Sequence, residues 1–344
     1  MGYLALTANT TANNNVAVGK DALLYNTTGI QNIAIGTYAL DANTDAANNV
    51  GIGHSALTSN TTGTNNVAVG SNVLDANTTA DNNTGVGYLA LSANTTGIQN
   101  TAMGAYALDA NTTTHYNTAV GYGSLGANTA ADNTAVGVNS LLTNTTGADN
   151  VGLGRSALYS NTTASNNVAV GKNALWANTT GSENIAVGAL ALDANTTGTN
   201  NIGIGYGALG GNTTADNNTA VGRTALNANT TGAANVAVGA YALDANTTGS
   251  SLVAIGKGAL GANTTANDNT AVGDGALLAN TTGASSVAVG KSALLVNTTG
   301  GYNTAVGVLA LDANTTANYN TAVGYAALTQ NSTGSENTSM GWGA

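Results

Sequence analysis

Apolar positions in this chain follow no helical period. They recur in a frame of seventeen residues, N-[TVI]-A-V-G-x-x-A-L-x-A-N-T-T-[GA]-x-x, in which position 2 is Val, Ile or Thr, position 4 is aliphatic or Met, and position 9 is Leu. β-Branched residues two apart predict a short strand at positions 2–4. Position 5 is always Gly, as in Gly19, Gly36, Gly53, Gly70 and Gly87. That predicts a bend with positive φ or a close approach of another backbone. The A-L-x-A segment predicts a second strand, and N-T-T-[GA]-x-x a long polar turn.

Units begin at Asn15, Asn32 and Asn49 and continue every seventeen residues to Asn337, with one shorter unit at 117–132. The missing residue falls in Asn128-Thr129-Ala130-Ala131, which marks that stretch as a loop. One such unit is one coil of a parallel β-solenoid, so residues 1–344 read as a single all-β array of about twenty coils. At about 4.8 Å per coil the expected rod is roughly 95 Å long. Neither end carries a polar cap, which predicts that the rod continues, covalently or by end-to-end association.

In-register stacking places like residues on like. Asn at position 12 (Asn26, Asn43, Asn60, Asn77) is then expected to form an amide ladder. The large apolar residues Val18, Leu23, Ile35, Leu40 and Leu57 are expected to fill each coil's interior. Position 3 lies on the other strand face and is Ala or Gly in nineteen copies, among them Ala17, Ala34, Gly51 and Ala68, and Ser339 in the last. A face held to such small residues is expected to pack against a neighbouring chain.

The charge pattern agrees with stacking and narrows the partners. The formal charge is −10, and all six basic residues stand at position 6. No basic stripe exists to follow a phosphate backbone, so nucleic acid is excluded as a partner. Asp occupies position 10 in six copies (Asp41, Asp75, Asp109, Asp193, Asp244, Asp312) but never in successive coils, where like charges would repel. There is no cysteine, and the apolar runs are too short to span a membrane.

Chemistry is sparse. His54 and His115 lie several coils apart with no recurring acid or nucleophile beside them, so no enzyme and no cofactor is expected. Asp is too irregular for a calcium ladder, so no metal is expected either. The N-T-T turns match the N-glycosylation acceptor pattern, which makes Asn26, Asn60 and Asn94 candidate glycan sites. Eight tyrosines (Tyr3, Tyr38, Tyr88, Tyr106, Tyr122, Tyr206, Tyr241, Tyr325) cluster at positions 6 and 7, where they would protrude beside the bend as platforms for sugars or amphipathic surfaces.

The segments N-V-A-V-G-K (Asn15 to Lys20), N-I-A-I-G (Asn32 to Gly36) and S-V-A-V-G-K (Ser286 to Lys291) resemble the S-V-A-I-G repeats of YadA-like trimeric autotransporter adhesin heads. The longer A-L-x-A-N-T-T-G-x-x-N-T-A-V-G pattern is similar to repeats of bacterial surface fibres and phage tail-fibre-like proteins. This resemblance covers essentially the whole chain. It implies a left-handed β-roll, a homotrimer wrapped about a common axis, and a place outside the cell or on a cell or virion surface. The unit here is longer than the usual head repeat. The expected function is a structural fibre, the shaft or head of an adhesin, filament or phage-like fibre, with a cell-surface or glycan receptor as possible partner. The alternative is an ice-binding solenoid that uses its Thr ladders.

Overall fold

The computed structural model describes residues 2–344 and contains, among them, twenty three-residue strands and no helix. Met1 lies outside the described residues. The strands run from β1 (Val16–Val18) through β9 (Val151–Leu153) in a first compact unit that ends at Asn167, and from β10 (Val168–Val170) to β20 (Thr338–Met340) in a second that begins at Val168. Inside each unit, every strand pairs in parallel with the equivalent strand of the next coil. Ala17 thus stands opposite Ala34, and Ala186 opposite Gly203. The β-solenoid is therefore the architecture of both units.

Which strand face is internal is the reverse of the expectation. Ala34 and Ala68 are wholly buried within a single chain, and a Cβ added at Gly51 would lie 3.3 Å from Leu40 Cγ. Ala17 on the same face is partly covered, in the first strand of the array. Conversely, Val18 is 48% and Ile35 39% exposed, so neither belongs to the core. Leu23, Leu40 and Leu57 are fully buried, as expected. A two-residue period identifies two faces without saying which is inside. Here the interior is thin: Leu at position 9 occupies it, together with Ala at positions 3 and 8, and a larger residue at position 3 has no room.

The predicted second strand is also corrected. Positions 6–11 form consecutive tight turns, with φ of +58° at Asp21 and +51° at Leu23, and +62° at Tyr38 and +51° at Leu40. Leu in the left-handed region costs about 1–2 kcal/mol, and complete burial of its side chain offsets that. Coil-to-coil bonding survives through this segment, for example Leu23 N–H to Ala39 C=O at 3.1 Å and Tyr25 N–H to Asp41 C=O at 3.0 Å.

The bend glycines are required on two counts. Gly19, Gly36, Gly53, Gly70 and Gly87 have φ between +126° and +141°. They also stack on one another, so that a Cβ on Gly70 would sit 2.6 Å from the carbonyl oxygen of Gly87.

Candidate functional site

Two amide ladders hold the polar turn. Position 12 gives the expected one: Asn43 Nδ2 donates to Asn26 Oδ1 at 2.8 Å, Asn60 to Asn43 at 3.2 Å, and Asn77 to Asn60 at 2.9 Å. Each amide also donates to the carbonyl three residues ahead, as Asn60 does to Gly63 at 2.9 Å. Position 1 supplies a second ladder that the repeat pattern did not reveal. Asn32 Oδ1 accepts the backbone N–H of Asn49 at 2.9 Å, while Asn49 Nδ2 donates to Gly63 C=O at 2.8 Å. The carbonyl of Gly63 therefore receives two side-chain amides, one from each ladder. A signal was present, since position 1 is Asn in all but two coils, Leu252 and Ser286. Ser286 keeps the link through its hydroxyl, which accepts from Asn303 N–H at 3.2 Å.

This arrangement removes the proposed glycan acceptors. Asn26, Asn60 and Asn94 are completely buried, and their amide nitrogens are committed to a neighbouring amide and a backbone carbonyl. An N-linked sugar needs that nitrogen exposed, so the folded coil offers none of the three. The first Thr of the turn is likewise engaged, Thr27 Oγ1 donating to Thr44 C=O at 3.1 Å and Thr95 Oγ1 to Thr112 C=O at 3.0 Å.

Outside the turn, the outward strand face carries positions 2 and 4. It holds Val16, Val18, Ile35, Ile52, Met103 and Leu153 in the first unit, and Ile185, Ile204, Ile255, Val287 and Val289 in the second, all more than a third exposed. No charged residue stands at either position. Thr interrupts the apolar run in blocks, as at Thr84, Thr101, Thr118 and Thr134, each with Val or Met two residues on.

The bend side carries most of the aromatics. Tyr88, Tyr106 and Tyr122 pack edge to face in succession, with centroids 5.5 and 5.7 Å apart. Lys20 lies over the Tyr38 ring at 5.4 Å and Arg223 over Tyr241 at 5.8 Å. Beside them runs the row of Asp residues at position 10. Burial raises the carboxyls of Asp41, Asp75, Asp109, Asp193, Asp244 and Asp312 above the ordinary value of 3.8. At Asp41 the Thr58 hydroxyl, donating at 2.8 Å, opposes that rise.

His54 packs edge-on against Tyr38, and His115 Nδ1 accepts the Ile98 N–H at 2.9 Å. No group of three or more His, Cys, Asp or Glu that could hold a metal occurs among the described residues, and no helix is long and apolar enough to cross a membrane.

No protein-family model matches the chain, and no curated protein matches it.

Proposed function

We propose that this chain is a structural fibre segment, the shaft or head of an extracellular adhesin, filament or phage-like fibre, in which three copies associate through the outward strand face. The observation that carries this reading is the charge-free ladder of Val, Ile, Leu, Met and Thr on that face. Three residues of strand are about 10 Å wide and coils repeat at about 4.8 Å, so the stripe covers about 400 Å² on the first unit and about 500 Å² on the second. Each lies within the range of the largest patches found on monomeric surfaces, which are often functional. The interface thus uses the large residues, while the small ones pack each chain's own interior.

Sedimentation equilibrium tests the reading. Three times the chain mass is expected, with conversion to single chains when Ile52 and Ile204 are both changed to Asp. Single chains at every concentration, for the unaltered protein, would refute it.

A second reading has one observation in its favour. The Thr-x-Val and Thr-x-Met rows at Thr84, Thr101, Thr118 and Thr134 form a regular outward array of hydroxyls and methyls, the kind of surface an ice-binding solenoid presents. Thermal hysteresis separates the two, because the array must be free in an ice binder and covered in a fibre.

A further inference from the structure

Two recesses on the bend side share a glycine pair, an Asp and a rim Tyr, one recess in each unit. Each forms where a coil has Gly at both position 7 and position 10, so that two side chains are missing from one layer: Gly123 and Gly126 in the first unit, Gly207 and Gly210 in the second. Their volumes are about 540 and 470 Å³. In both, the coil before supplies an Asp (Asp109, Asp193) and the glycine coil itself supplies a Tyr at the rim (Tyr122, Tyr206). The following coil supplies an amide, Asn139 from position 7 in one and Asn227 from position 10 in the other, with Leu142 at position 10 of the first. No lining residue comes from a strand.

The glycines change what the aspartate faces. In the Asp41 layer the next coil has Thr58, whose hydroxyl donates to the carboxylate. Gly126 and Gly210 stand at the equivalent position and have nothing to donate. Asp109 Oδ1 is 3.4 Å from the Cβ position of Gly126, beside Leu142 Cδ1 at 3.2 Å, and Asp193 Oδ1 is 3.2 Å from that of Gly210, beside Asn227 Nδ2 at 2.8 Å, so each carboxylate borders its recess. Opposite, Asn139 Oδ1 lies 2.9 Å from the Cβ position of Gly123. Asn227 Nδ2 donates to Gly207 C=O at 2.7 Å and lies along the floor of its recess.

We propose that each recess binds one ring of a neutral saccharide. The wall backbones are two coils apart, about 9.6 Å, which admits a single ring between them. The exposed faces of Tyr122 and Tyr206, 55% and 54% accessible, offer flat apolar surface to the C–H face of a sugar. The carboxylate accepts from a pair of hydroxyls in strong charge-assisted bonds, and the amide fixes the ring from the other side. A chain of net charge −10 with a carboxylate in the site disfavours acidic sugars. A third coil has the glycine pair, Gly258 and Gly261 after Asp244, but Lys257 replaces the rim Tyr, and the following coil brings Gly275 and Leu278 where an amide would be needed. That layer is a built-in negative control, so the stoichiometry is two per chain.

The experiment is a titration of the full-length protein with methyl glycosides of glucose, galactose, mannose, N-acetylglucosamine and glucuronic acid, followed by saturation-transfer NMR. At least one neutral glycoside is expected to bind, with transfer from tyrosine protons, and the glucuronide is expected to bind at least tenfold more weakly. Changing Gly126 and Gly210 to Thr restores the donor and fills the space, and should weaken binding more than tenfold. Changing Tyr122 and Tyr206 to Val, the residue already at that position in Val138 and Val308, should do the same without touching a buried group. Absence of binding by every neutral glycoside at about 50 mM, weaker than any useful affinity, would overturn the proposal. Equal binding of the glucuronide, or binding unchanged in the tyrosine variant, would overturn it too. The outcome is independent of subunit number, so a failed trimer measurement leaves this test intact.

Discussion

Val73 and Gly85 give the sharpest test of the thin interior. Position 8 of one coil packs against position 3 of the next, and a Cβ placed on Gly85 would lie 2.5 Å from Val73 Cγ1. In most other layers those positions hold Ala and Ala, as at Ala22 and Ala34, both fully buried. Gly85 is thus the complement of an oversized Val73. Gly85→Ala alone overfills the layer and is expected to cost about 1–3 kcal/mol. Val73→Ala alone removes two methyl groups and leaves a void, at about 1–3 kcal/mol. The double variant recreates the Ala and Ala layer, so its cost should fall below the sum by a coupling energy of about 1–3 kcal/mol. Urea denaturation followed by circular dichroism reads the global shift, and hydrogen exchange at β5 (Thr84–Val86) reads the local one. A neutral Gly85→Ala, or additive single costs, would show that the layer has slack and that the burial assigned to this face is wrong.

The pH dependence should run against the usual acid lability. Six half-buried Asp carboxyls titrate above their ordinary 3.8, so the native state holds more protons than the unfolded one. Their stabilising effect is complete below the unfolded value and is lost as pH rises through the folded values. The melting temperature is therefore expected to be higher near pH ~4 than near pH ~7, and changing all six to Asn should shrink that difference; no change in slope would contradict the assignment. Gly53→Ala meets φ of +137° and the backbone of Gly70, and should cost at least about 3 kcal/mol in denaturant unfolding. Asn60→Ala strips a buried amide from a ladder and leaves Asn43 Oδ1 without its donor, for an expected loss of about 2–4 kcal/mol, whereas an unchanged transition would mean water replaces the amide.

Much of this was legible in the repeat. The frame, the bend glycines, the buried leucines and the position-12 ladder follow from which residue types each position tolerates. Internal comparison of copies did the work of an alignment. What misled was size. Val18 and Ile35 were expected inside because they are large and apolar, yet the width of the cavity, set by the turns at positions 6–11, admits only Ala or Gly opposite Leu. That width depends on Tyr38 and Leu40 adopting left-handed φ, a choice no propensity scale assigns to such residues. The recesses at Gly126 and Gly210 were missed for another reason. They are defined by side chains that are absent, in a coil whose neighbours seventeen residues away form the walls.

The short unit shows how the two amide ladders act together. Asn117 Nδ2 and Asn128 Nδ2 both donate to Ala130 C=O, at 2.9 and 2.6 Å, although the turn between them has lost a residue. Asn133 N–H still finds Asn117 Oδ1 at 3.0 Å, so the following strand enters in register. The price is local: Asn111 Oδ1 takes the hydroxyl of Thr114 in its own turn. Length is thus decoupled from alignment, and the turn behaves as a splice junction where a residue can be removed while the layers above and below keep count.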